Sequence, residues 1–189
     1  MPWHVVVGGP ANCGKSTLVA SAYSLLHNNG ESVGLHEIDV YSDTIHCILG
    51  HKPWTERRKR KQCHFNPTIK RRIDEFACDS AELVLGDLPG KLTNQFLPKM
   101  VEPADAAVVV AKDWNGMEQW QEFFAKQHVP VMARVMSCLE TPPAIPLSAP
   151  TVHFVFGLDR TVQVSPAIRS FTAMLLDLAA PQQIAIPAQ

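Results

Sequence analysis

Gly9-Pro10-Ala11-Asn12-Cys13-Gly14-Lys15-Ser16-Thr17 satisfies the pattern G-x-x-x-x-G-K-[ST] at every fixed position. Glycines at both ends let the backbone curl until several N–H groups point inward, which makes a nest for phosphate oxygens. Gly9, Asn12, Cys13, Gly14, Lys15, Ser16 and Thr17 are therefore the expected nucleotide-phosphate contacts. Lys15 would reach the β- and γ-phosphates, and the Ser16 hydroxyl is placed to ligate Mg²⁺. A second constellation, Asp87-Leu88-Pro89-Gly90, ends an apolar run. Its aspartate can hold Mg²⁺ opposite Ser16, and Gly90 offers a backbone N–H to a γ-phosphate with no side chain in the way.

Other residues could also do chemistry. Glu37 and Asp39 are two apart on an extended stretch and so share a face, with Asp43 close behind. Between His51 and Arg72 lie nine of the seventeen Lys/Arg residues and a single acid, Glu56. In that island Arg57, Arg58 and Arg60 could grip a phosphate bidentately. The segment 51–72 could alternatively touch nucleic acid or form a solvated helix face. His46, Cys47, His51, Cys63 and His64 match no familiar zinc spacing. Cys13 is either a small filler or an oxidation-sensitive thiol in an electropositive loop.

These residues need elements to position them. Trp3 to Val7 is a β-branched run that reads as a buried strand feeding the loop. Ser16 to Asn29 reads as a helix with Leu18, Ala22, Leu25 and Leu26 inward and Gly30 at its end. The helix N-terminus thus meets the phosphate with its positive dipole end. A second strand is expected over Ser32–Val40, a short helix over Asp43–Leu49 capped by Ser42, and partly helical chain after Pro53. Asn66-Pro67 opens a helix to about Cys78. Further strands are expected at Glu82–Asp87, Asp105–Ala111, Val129–Met136 and Thr151–Phe156. Helices are expected near Asn94–Met100, over Gly116–His128, and from Ser165-Pro166 to about Ala180. Trp114, Trp120, Phe123 and Phe124 read as core packing. Alternating strands and helices imply an α/β fold with a doubly wound, mostly parallel sheet of about six strands and helices on both faces.

The 189 residues suit one domain over 1–180, with 181–189 as a loose tail. Apolar content of 46% with no long apolar run excludes a membrane span. Five cysteines without C-x-x-C do not make a disulfide framework, so a cytoplasmic setting is expected.

The two phosphate motifs resemble those of P-loop NTPases of the kinase–GTPase division. One strand separates the loop from the Asp87 strand in sequence, and Leu88 stands where motor-type and AAA-type ATPases carry a glutamate. The resemblance implies Mg·nucleotide binding. It favours ATP over GTP, because Ala111-Lys112-Asp113-Trp114 and the stretch from Phe156 to Arg160 lack the guanine signature N/T-K-x-D. For a kinase it further implies Asp39 as general base, with Glu37 and Asp43 behind it. Arg57, Arg58 and Arg60 would form a lid, and Lys15 would serve catalysis as well as binding, with γ-phosphate passing to a hydroxyl or phosphate acceptor. The alternative is a nucleotide-dependent switch with Leu88–Pro103 sensing the γ-phosphate and a partner reading it. More narrowly, GGPANCGKSTL, HEIDVYSD and LVLGDLPGK look like a P-loop domain linked in CRISPR systems to a ring nuclease that degrades cyclic oligoadenylate. That likeness implies a partner nuclease; a homo-oligomer is the other expected assembly.

Overall fold

The computed structural model describes residues 1–40, 42–56, 67–138, 153–156, 158 and 165–179. In chain order its strands are β1 (Trp3–Gly8), β2 (Val33–Glu37), β3 (Leu83–Asp87), β4 (Ala106–Ala111), β5 (Val131–Cys138) and β6 (His153–Phe156). Its helices are α1 (Lys15–Asn28), α2 (Thr44–Ile48), α3 (Pro67–Ala77), α4 (Leu97–Val101), α5 (Trp114–Lys126) and α6 (Pro166–Ala179). A single 3-10 turn, Trp54–Glu56, follows Pro53. The expected prolyl helix starts hold: α3 begins at Pro67, and Ser165 Oγ accepts from Ile168 N at 3.3 Å before Pro166 opens α6.

The six strands form one sheet in the order β2-β3-β1-β4-β5-β6, and every neighbouring pair is parallel. A parallel sheet covered on both faces needs strands apolar on both sides, and β1, β3 and β4 supply them. Val5 and Val7 face a core shared with α1, α2 and α6, through Leu18, Ile45 and Phe171. Val6 faces the other core, filled by Ile69 and Phe76 of α3, Met100 of α4, and Trp120 and Phe124 of α5. Trp120 and Phe124 are thus core residues, and Trp114 and Phe123 pack against them from its rim.

Two expectations about local structure change. β2 stops at Glu37, short of Val40: Ile38 N completes the Glu37–Asp87 pair on the Asp87 carbonyl at 3.0 Å, and Asp39 N then turns to that same carbonyl at 3.2 Å instead of carrying the strand on. Leu25 of α1 is only half-buried, whereas Val19, Ala20 and Ser21 are fully buried. The sandwiching of α1 between the sheet and α6 buries more of its surface than one stripe. The loop expected over 138–150 and the tail from 181 lie outside the described residues, apart from Cys138 at the end of β5. Among the described residues no helix is long and apolar enough to cross a membrane.

Candidate functional site

The order of the strands decides what can meet. β1 delivers Gly9–Gly14, and its neighbour β3 ends at Asp87, so both loops emerge at one end of the sheet. Gly9 sits at φ +153°, and a Cβ there would lie 1.8 Å from the carbonyl oxygen of Val110. Cys13 Sγ donates to the same carbonyl at 3.0 Å. The end of β4 therefore carries the loop from beneath. Asn12 and Gly14 take positive φ, and no side chain caps α1, whose N-terminus opens onto the loop.

Lys15 is buried and its Nζ donates to the Pro10 carbonyl at 2.8 Å, folded over its own loop. Ser16 Oγ donates to Asp87 Oδ2 at 2.6 Å. Asp87 is 2% exposed, and its Oδ1 is buried with no hydrogen-bond partner among the described residues. Burial pushes its carboxyl up to about 6, against the pull of Lys15 and Ser16, with nearby Asp39 adding to the rise. A cavity of about 410 Å³ separates the Ala11–Thr17 loop from a wall made by Asp39, Ser42, Thr44, Asp87, Leu88, Gly90 and Leu158.

The acidic segment after β2 divides its labour. Glu37 and Asp87 are paired in register, yet Glu37 is not part of the cavity wall. Its Oε1 accepts from Ile45 N at 3.2 Å, in the first turn of α2, while Oε2 is buried without a partner among the described residues. Burial first, and then Asp87, pushes Glu37 up to about 7. Asp43 is buried against Lys52 Nζ at 2.5 Å and is also absent from the wall. Of the three acids considered as a general base, only Asp39 reaches the cavity. Glu37 holds an amide of α2 instead, and Asp43 an ion pair with Lys52.

Gly90 lies against the phosphate loop: a Cβ there would fall 2.6 Å from the N and Cα of Ala11. Arg57, Arg58 and Arg60 lie outside the described residues, as do Cys63 and His64. The described members of the His/Cys cluster form no metal-binding group. Cys13 is buried, and burial raises its thiol despite Lys15 close by, which favours the filler reading.

Residues that sequence reasoning missed complete the wall. Ser42 and Thr44 bring two hydroxyls 2.5 Å apart to the cavity, and Leu158 packs where Gly14 has no side chain. Arg72, counted before as one more charge in a basic island, donates through Nη1 to the carbonyl of Asp39 at 2.9 Å and also to that of Glu37. No spacing rule announces that bond, because it depends on how α3 is rotated against β2.

The donor set fits a divalent cation of the hard, oxygen-seeking kind. It offers a hydroxyl and a carboxylate already side by side, with one buried carboxylate oxygen left over.

No protein-family model matches the chain, and no curated protein matches it. Solved structures do. The septum site-determining protein MinD from Pyrococcus horikoshii, complexed with Mg-ADP, is 13% identical over 98% of this chain and 100% of that chain, with a TM-score of 0.71. The cell division ATPase MinD from Pyrococcus furiosus is 13% identical over 96% of this chain and 100% of that one, with a TM-score of 0.67. FlhF complexed with GMPPNP and Mg²⁺ is 16% identical over 92% of this chain and 74% of that one, with a TM-score of 0.54. The fold is that of MinD-like P-loop NTPases.

Proposed function

We propose that the chain is a nucleotide-dependent switch, a P-loop NTPase that hydrolyses Mg·NTP and signals the state of its nucleotide to a partner. The observation that carries this reading is the Ser16–Asp87 pair with its leftover buried oxygen, lining one cavity with Lys15 and Asp39. The fold likeness supports it, since the similar structures include one holding Mg-ADP and one holding GMPPNP with Mg²⁺. None of the three proteins named above is described as a phosphotransferase, so the kinase reading has no support from them. The arginine lid it called for falls on residues outside those described.

In this reading Lys15 exchanges the Pro10 carbonyl for phosphate oxygens, and the loop amides cradle the β-phosphate. Ser16 and Asp87 would hold Mg²⁺, which when bound neutralises charge on the β- and γ-phosphates. Asp39 accepts a hydrogen bond from the attacking water and orients it toward the γ-phosphorus, giving NDP and inorganic phosphate. Gly90, already against Ala11, senses whether the γ-phosphate is present through its N–H and passes that state to Leu88–Pro103. ATP is the favoured nucleotide. In Ala111-Lys112-Asp113-Trp114 a tryptophan stands where N/T-K-x-D has its aspartate, and Asp113 accepts from Gly116 N at 2.7 Å as the cap of α5.

The test is incubation of the purified chain with Mg²⁺ and γ-labelled ATP or GTP. Label in free phosphate, faster from ATP, is expected. Label in an added hydroxyl or phosphate acceptor would restore the kinase, and faster release from GTP would overturn the base assignment. Co-purification of the tagged chain from cytoplasm identifies the partner; a ring nuclease and a second copy of the chain are the two expectations to be separated.

A further inference from the structure

Three consecutive basic residues open the second turn of α3, and they part company. Lys70 and Arg71 point outward, 70% and 67% exposed, into pairs with Asp74 and Glu75. Arg72 points inward to the main chain, where Nη1 donates to the carbonyls of Glu37 and Asp39. Both carbonyls therefore lie on the side of this segment that faces α3. The opposite side of this segment is already engaged, since Ile38 N and Asp39 N both donate to the carbonyl of Asp87. β2 lies at the edge of the sheet among the described residues, so its outward carbonyls meet no described strand and need a donor from elsewhere. The backbone at Asp39 is thereby fixed from two directions, by β3 on one side and α3 on the other. Backbone direction sets where a side chain can go, and Asp39 goes into the cavity.

We propose that Arg72 is a positioning residue for Asp39: its guanidinium locks the backbone of 37–39 so that the Asp39 carboxylate faces the Ser16–Asp87 wall. This rests on the NTPase reading for the role of Asp39, but not for the geometry. Arginine suits the task because a charged, planar donor can serve two carbonyls from one nitrogen with little loss of freedom. The bond also makes α3 a lever on the site, since any rotation of that helix moves the Asp39 backbone.

The experiment uses the full chain as wild type, Arg72→Ala, Arg72→Lys, Asp39→Asn and the double variant Arg72→Ala/Asp39→Asn. Three quantities are measured: affinity for a fluorescent ADP analogue without metal, Mn²⁺ affinity in the presence of ADP by paramagnetic resonance, and single-turnover NTP hydrolysis. Asp39 lines the cavity beside Asp87 and is near enough to act on its carboxyl, so besides orienting the attacking water it can hold a metal-bound water. Arg72→Ala should therefore leave ADP affinity within about twofold and lower Mn²⁺ affinity and turnover on the order of tenfold, the usual loss for an outer-sphere partner. Asp39→Asn should do the same, the double variant should be no worse than either, and Arg72→Lys should recover part of the loss. Losses that multiply in the double variant, or an Arg72→Ala protein indistinguishable from wild type, would overturn the proposal. A wild type that never hydrolyses NTP, with Mn²⁺ affinity lost non-additively across the single and double variants, would sink the NTPase reading and leave Arg72 in its role. Should Arg72→Ala fail to fold by circular dichroism, Arg72→Lys and Arg72→Gln carry the same comparison.

Discussion

Ser16 spends its hydroxyl hydrogen on one oxygen of Asp87 and leaves the other oxygen of that carboxylate buried and unmet by any described residue. A carboxylate in that state is a standing electrostatic cost, which a divalent cation would relieve. Asp87→Asn keeps the shape and removes the charge. We expect it to abolish the Mg²⁺ dependence of nucleotide binding and to slow turnover on the order of a hundredfold or more. Isothermal titration of ADP with and without Mg²⁺ reads the first, and unchanged Mg²⁺ dependence would count against Asp87 as a metal holder.

The same buried acids set a pH dependence. Asp87 and Glu37 stand at about 6 and about 7, above the carboxylate values of an unfolded chain near 4. Between about pH 4 and 7 the folded chain holds more protons than the unfolded one, so stability falls as pH rises through that window. The stabilisation is complete below about pH 4 and gone above about pH 7. Its upper limit is on the order of 3 kcal/mol for each carboxylate. Urea midpoints measured at pH 5, 6, 7 and 8, without metal or nucleotide, should decline. Asp87→Asn should flatten the decline, and a wild type that gains stability across this range would contradict it.

Gly90→Ala tests the contact between the two phosphate motifs. The new methyl would meet the backbone of Ala11, which cannot swing aside as a side chain can. We expect nucleotide affinity to fall about tenfold and stability to fall by about 1–3 kcal/mol. Equilibrium binding of a fluorescent nucleotide reports the first and denaturant unfolding the second. An alanine variant with wild-type affinity would mean the two loops do not need to touch.

Cys13 should behave as an inert thiol despite the positive charge beside it. It is buried, and its hydrogen is committed to the Val110 carbonyl. Brief native alkylation with iodoacetamide should label the exposed Cys78 and leave Cys13 untouched until denaturant is added, as read by peptide mass mapping. Labelling of Cys13 at the rate of Cys78 would restore the oxidation-sensitive reading.

Much of this is legible in the sequence. The apolar runs of β1, β3 and β4, valine-rich in β1 and β4 and leucine-rich in β3, announce buried parallel strands. The spacing Gly9 to Thr17 fixes a loop because few backbones place so many N–H groups together. Asp87 could be located because it closes such a run. The division among Glu37, Asp39 and Asp43 could not be read. Period two puts Glu37 and Asp39 on one face, but whether the carboxylate then finds a helix amide or a cavity depends on where β2 stops. That stop is imposed by Asp87 O, from a strand far away in sequence. Arg72, Ser42 and Thr44 escaped for a related reason: their partners are set by the docking of α2 and α3, which leaves no periodic trace.

The central position of β1 has a kinetic corollary. Trp3 pairs with Leu83 on one side and Val5 with Ala106 on the other, so the first strand made is among the last to be completed. A growing chain that has emerged only as far as α3 has the loop sequence but neither wall to hold it, since Val110 and Asp87 are still to come. Closing such distant pairs first costs chain entropy and repays it late, which makes folding slow and leaves apolar strands uncovered meanwhile. Nucleotide capture should therefore appear abruptly in a series of nascent-chain lengths, once β4 has cleared the ribosome, and not build up gradually from the N-terminus.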